Sequence, residues 1–114
     1  MKYIKRYEAI DFDLLGYYVV CSAIKPIVHD YKSGEKYFTN DEVIKNFISN
    51  SVGLVVDYDN NYLFFKVEYR NKPETKWSRA RDYCYYYFVK EDILFYSKDK
   101  KECEAFLDAR KYNL

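Results

Sequence analysis

The chain has 114 residues, with 19 Lys and Arg against 18 Asp and Glu, for a formal net charge of +1. That balance excludes a polyanionic nucleic-acid mimic and a histone-like polycation, and the length suits a single compact domain over residues 1–114. Apolar and aromatic side chains make up 49%, enough to build a core and too many for general disorder.

The basic start Met1-Lys2-Tyr3-Ile4-Lys5-Arg6 is followed by Glu8, Asp11 and Asp13, not by an apolar stretch, so it does not read as a secretory signal. The longest apolar runs, Tyr17 to Cys21 and Cys84 to Val89, fall far short of the ~18–20 residues a membrane span needs. Cys21, Cys84 and Cys103 are odd in number and widely spaced. They fit free, buried thiols in a reducing cytoplasm better than a disulfide framework or a zinc knuckle. Residues with AT-rich codons (Phe, Tyr, Met, Ile, Asn, Lys) number 52 against 15 with GC-rich codons (Gly, Ala, Arg, Pro). That skew suits an AT-rich bacterium or one of its phages or mobile elements.

In chain order, Tyr17 to Ile24 is rich in β-branched and aromatic residues and predicts a strand. A capping box at Thr39…Glu42, with Phe38 and Val43 as its hydrophobic staple, predicts a helix whose apolar stripe is Val43, Ile44, Phe47 and Ile48. Leu54–Asp57 and Tyr62–Arg70 flank the turn-formers Tyr58-Asp59-Asn60-Asn61 and predict a β-hairpin. In its second arm Phe65, Val67 and Tyr69 alternate with Lys66, Glu68 and Arg70, so one face is buried and one is wet. Trp77, Arg81, Cys84 and Phe88 recur at near-helical spacing after Pro73, but the aromatics crowded on both sides of Tyr85 to Val89 favour a loop leading into strands at Tyr83 to Val89 and Ile93 to Tyr96. A second helix is expected from about Lys98 to Lys111, capped by Ser97. The expected architecture is α+β: a mainly antiparallel sheet of about five or six strands with two helices packed on one face.

Signatures of catalysis are thin. The single histidine, His29, has no nucleophile motif to serve, and Asp57 to Asn61 lacks the glycine and glutamate of a calcium loop. Asp57 with Glu68 has the look of a metal-nuclease acid pair, but Arg70 stands where a lysine would be wanted. No enzyme, metal or cofactor is therefore expected.

The charge map is more informative. Residues 66–81 hold Lys66, Arg70, Lys72, Lys76, Arg79 and Arg81 against Glu68 and Glu74, a local balance of +4 between mildly acidic flanks. Cations around an aromatic, Trp77, suit a protein hot spot or phosphate contact with base stacking; a solvated strand face with Trp77 in the core is the plain alternative. The candidate partner-binding residues are thus Lys66, Arg70, Lys76, Trp77, Arg79 and Arg81. The 15 tyrosines cannot all be buried with satisfied hydroxyls, and Tyr85 and Tyr87 should face opposite to Tyr86, making one row a contact face.

The expected function is a small non-enzymatic binding protein, of the kind a phage or mobile element carries to inhibit or modulate a host factor, including a nucleic-acid-dependent defence enzyme. The partner is then a host protein, with no membrane involved. A direct single-stranded nucleic-acid-binding module is the alternative, and a small metal-dependent nuclease the third reading. A homodimer through a strand edge or a tyrosine row is compatible with each.

Overall fold

The computed structural model describes residues 14–23, 27–29, 36–59, 64–76 and 78–112. Leu14 to Tyr17 form a tight turn in which the Tyr17 amide donates to the Leu14 carbonyl (2.9 Å), and Gly16 supplies the φ of +84° that its third position requires. Then come β1 (Tyr18–Cys21), β2 (Ile27–His29), β3 (Lys36–Phe38), α1 (Glu42–Ser49), β4 (Gly53–Asp59), β5 (Phe64–Lys72) and β6 (Arg81–Phe88). A 3-10 turn (Lys90–Asp92), β7 (Ile93–Ser97) and α2 (Lys100–Tyr112) complete the order.

The strands make one antiparallel sheet, ordered β3-β2-β6-β5-β4-β1-β7. Five are longer than three residues, as the sequence implies, and the short β2 and β3 extend one side. The α+β class, the β4–β5 hairpin and the strand over residues 81–88 all agree with the sequence reading. Two of the four expected turn-formers are strand instead: Tyr58 and Asp59 end β4, paired with Phe65 and Phe64, so the hairpin arms run further than the turn residues imply. Asn60-Asn61, Pro26 and the basic N-terminal start lie outside the described residues.

The connection from β6 to β7 shapes the sheet. In a flat sheet these strands would stand four spacings, about 19 Å, apart. Only Val89 to Asp92 join them, most of that in a 3-10 turn, which reaches well under the ~17 Å of a fully extended link. The sheet must therefore curl. Its inner face closes on a single core of Val19, Cys21, Val55, Phe65, Val67, Tyr69, Cys84, Tyr86, Phe88 and Ile93, and α1 fills the concavity with Ile44 and Ile48.

The helices lie on opposite faces, which differs from the expectation that they share one. α2 packs Cys103 and Leu107 on Val20 and Phe95, with Phe106 stacked on Phe95 at 4.8 Å between centroids. The reason is in β1: Val19 and Cys21 point into the inner core while Val20 points to the outer one, so this strand is buried on both sides. A bulge in β7 at Leu94 keeps Ile93 on the inner face and Phe95 on the outer.

Both caps sit two residues later than the expected Thr39 and Ser97. Asp41 caps α1, accepting from the Val43 amide (3.0 Å), while Thr39 Oγ1 accepts from the Asp41 amide (3.2 Å). The same arrangement recurs at α2. Asp99 Oδ1 accepts from the Lys101 amide (2.9 Å), Ser97 Oγ accepts from the Asp99 amide (3.0 Å), and the Ser97 hydroxyl donates to Glu102. A carboxylate is the stronger acceptor for amides at the positive end of a helix, so each hydroxyl fixes the aspartate that does the capping. Val43, expected on the apolar stripe, is 44% exposed: Ile44 and Ile48 set the buried line of α1, and Val43 lies about 100° round the helix from Ile44.

Candidate functional site

Among the described residues, the two helices on opposite faces leave the outer side of one part of the sheet without a helix. α2 covers the outer side of β1 and β7, and no helix among the described residues lies over the outer side of β5 and β6. Strand alternation puts Lys66, Glu68 and Arg70 on that side of β5, in register with Tyr87, Tyr85 and Tyr83 of β6. Their neighbours Phe65, Val67, Tyr69, Cys84, Tyr86 and Phe88 anchor the same strands in the core, so the outer residues stand on rigid backbone.

The exposed pair is Tyr83, at 47%, and Tyr85, at 39%; Tyr87 is buried. Arg70 lies over the Tyr83 ring and Lys66 over the Tyr85 ring, each 4.7 Å from the centroid. Glu68 sits between them, accepting a long hydrogen bond from the Tyr85 hydroxyl (3.4 Å) and facing Arg70 at 4.0 Å. Each cation–π contact contributes about 0.5–1 kcal/mol at an exposed site, enough to restrict the ring and the cation together.

Beyond Arg70 the chain enters the loop from Pro73 to Ala80, held by a buried lysine. Lys72 is 6% exposed, and its ammonium donates to Ser78 Oγ (2.7 Å), the Arg79 carbonyl (2.7 Å) and the Pro73 carbonyl (3.1 Å). Thr75 and Ser78 close the loop from within, the Thr75 amide donating to the Ser78 carbonyl (2.8 Å) and the Ser78 amide to Thr75 Oγ1 (3.0 Å). The sequence groups Lys72 with the segment's cations, but its three protons are spent on the loop.

Of the six candidate residues, Lys66 and Arg70 stand on the outer sheet face, Arg81 continues it at the start of β6, and Lys76 and Arg79 are exposed on the loop. Trp77 lies outside the described residues. Tyr83 and Tyr85 are not among the six. The pattern of tyrosines on either side of Cys84 points to an outer row, but only the register with β5 sets those rings against Arg70 and Lys66.

Asp57 pairs with Lys66 in register and shares this face with Glu68. Glu68 is already engaged by Tyr85 and Arg70, and among the described residues no three His, Cys, Asp or Glu lie close enough together to hold a metal ion. All three thiols are buried, and burial pushes Cys21 and Cys103 up to about 12 and Cys84 up to about 11. They are packing groups, not nucleophiles at neutral pH. His29 falls on β2, away from β5 and next to β3. No helix among the described residues is long and apolar enough to cross a membrane. The arrangement on β5 and β6 is suited to contact: rigid aromatics, oriented cations and a central carboxylate.

Comparison with protein-family models, with curated proteins and with solved structures finds no match to this chain.

Proposed function

We propose that the chain is a small, cytoplasmic, non-enzymatic binding protein that works by laying the outer face of β5 and β6 on the surface of a partner protein. One observation carries this reading: Tyr83 and Tyr85 are exposed on the outer face of β6, which neither described helix covers, each with a cation held over its ring. Tyrosine offers large contact area for few rotatable bonds, and Tyr and Arg dominate the residues whose loss most weakens an interface. The codon skew supports a phage or mobile-element origin, where such a protein would inhibit or modulate a host factor, including a nucleic-acid-dependent defence enzyme.

The face favours protein over nucleic acid. Lys66 and Arg70 already occupy one side of each tyrosine ring, and Glu68 and Asp57 interrupt what would have to be a positive track for phosphates.

The test is affinity capture from cells that carry the gene, comparing the natural chain with Tyr83→Ser/Tyr85→Ser. A protein recovered with the first should fall about tenfold or more with the second, while the melting temperature stays put. Equal recovery would remove this face from the account. Fluorescence anisotropy with single- and double-stranded DNA and RNA supplies the other arm: binding that weakens steeply as salt rises would favour the nucleic-acid reading instead.

A further inference from the structure

Resting on the protein-binding reading above, we infer that the partner presents an extended acidic segment, and that one of its carboxylates docks on Arg81. Arg79 and Arg81 are exposed and make no ion pair among the described residues. Arg81 opens onto a shallow recess of about 430 Å³ between the end of β5 and the start of β6, lined also by Asn71, Lys72, Ala80 and Asp82. In its lining the Lys72 ammonium is buried against two carbonyls and a hydroxyl, with no ion pair to a carboxylate among the described residues. Asn71 adds an amide whose side chain makes no hydrogen bond among the described residues. Two cations against Asp82 leave the recess net positive and rich in donors, which is the complement of a carboxylate.

Geometry narrows the ligand further. Arg81, Tyr83 and Tyr85 alternate along one strand, so they stand about 6.6–6.8 Å apart on the same side of the sheet. An extended peptide running along β6 has that same spacing between alternate side chains. It could place two apolar or aromatic groups on the tyrosines and an Asp or Glu on the guanidinium, whose planar fork takes a carboxylate in two parallel hydrogen bonds. A phosphodiester strand fits less well, because the stacking faces are partly taken and Glu68 lies in its path.

The experiment introduces an amine at the recess with Arg81→Lys, which keeps the charge, and treats cells carrying the gene with two cross-linkers in parallel. A carbodiimide joins an amine to a carboxylate with no spacer, forming an amide while water leaves as the urea. A bis-succinimidyl ester joins amine to amine. The expected result is a carbodiimide product linking the new amine to an Asp or Glu of one partner protein, identified by mass spectrometry. Its yield should fall about tenfold when Arg79→Glu is added and be unchanged when Lys100→Glu is added. Ester products at position 81 without carbodiimide products would mean that a protein docks here without presenting a carboxylate, which overturns this inference and leaves the protein-binding reading standing. Products of neither kind, or recovery of nucleic acid alone, would overturn both.

Discussion

The Tyr69 ring occupies the space that a side chain at Gly53 would need: a Cβ built on that glycine falls 2.9 Å from Tyr69 Cζ and closer still to Val67 Cγ1. Both neighbours are wholly buried in the inner core and cannot retreat without disturbing it. The glycine is thus required by packing at the start of β4. Gly53→Ala should cost about 1–3 kcal/mol, as overpacking a filled core does. Thermal unfolding followed by circular dichroism should show a melting temperature lower by roughly 4–8 °C per kcal/mol. An unchanged melting temperature would show that ring and backbone yield at no cost.

The same tyrosine carries an unmet polar group. Tyr69 packs edge-on against Phe47, Tyr86 and Phe88 at centroid distances of 5.8, 6.3 and 6.4 Å. Its hydroxyl lies near enough to the Cys21 thiol for each to perturb the other's ionisation, yet it has no partner of hydrogen-bonding geometry. An unsatisfied buried hydroxyl costs about 1–3 kcal/mol, so Tyr69→Phe should stabilise the fold or leave it unchanged. Chemical denaturation measures this directly. A loss above about 1 kcal/mol would mean that the hydroxyl does have an effective partner, with the thiol the first candidate.

Lys72 should matter more to the loop than to the partner. Replacing it by Met keeps the apolar stem and removes three donors, leaving Ser78 Oγ and the Arg79 and Pro73 carbonyls without the ammonium. The expected cost is about 1–3 kcal/mol. Hydrogen exchange should localise the change: the Thr75 and Ser78 amides, now closed within the loop, should lose protection while β5 amides such as Val67 keep theirs. Uniform loss across both would assign Lys72 to the global fold instead.

Much of this arrangement is legible in the sequence, and the exceptions have physical causes. The alternation in Phe65 to Arg70 fixes which side of β5 is wet, because a period of two survives whatever the neighbours do. The helix starts slip by two residues because Thr39 and Ser97 are each followed two positions later by an aspartate, and a hydroxyl signal alone does not say which group captures the amides. Placing the helices on opposite faces depends on β1. Its unbroken run Tyr18–Cys21 does carry the signal of a strand buried on both sides, in contrast to the alternating β5. The contact face depends on register. Nothing local in Tyr83 or Tyr85 specifies that Arg70 will lie across from the first and Lys66 diagonally over the second, since a slip of one residue would turn the β5 cations to the core.

Burial of the thiols and of two tyrosines sets a limit on alkaline stability. Burial raises Cys21 and Cys103 from 9.0 to about 12 and Cys84 to about 11, and lifts Tyr69 and Tyr86 above their ordinary value of 10.0. Each group binds its proton more tightly when folded than when unfolded, so the folded chain holds more protons at high pH. Stability from these groups is complete below about pH 8, where both states are protonated; it begins to fall as the unfolded thiols ionise around 9.0 and declines further as pH rises through the folded values. The midpoint of urea unfolding should therefore be level from pH 7 to about pH 8 and fall with increasing slope towards pH 11. Cys21→Ala/Cys103→Ala costs packing at every pH, but it should flatten that slope because two of the five groups no longer titrate. A midpoint that stays level to pH 11 would require thiolates to form inside the core at no cost, which their burial against Val19, Val20 and Phe95 forbids.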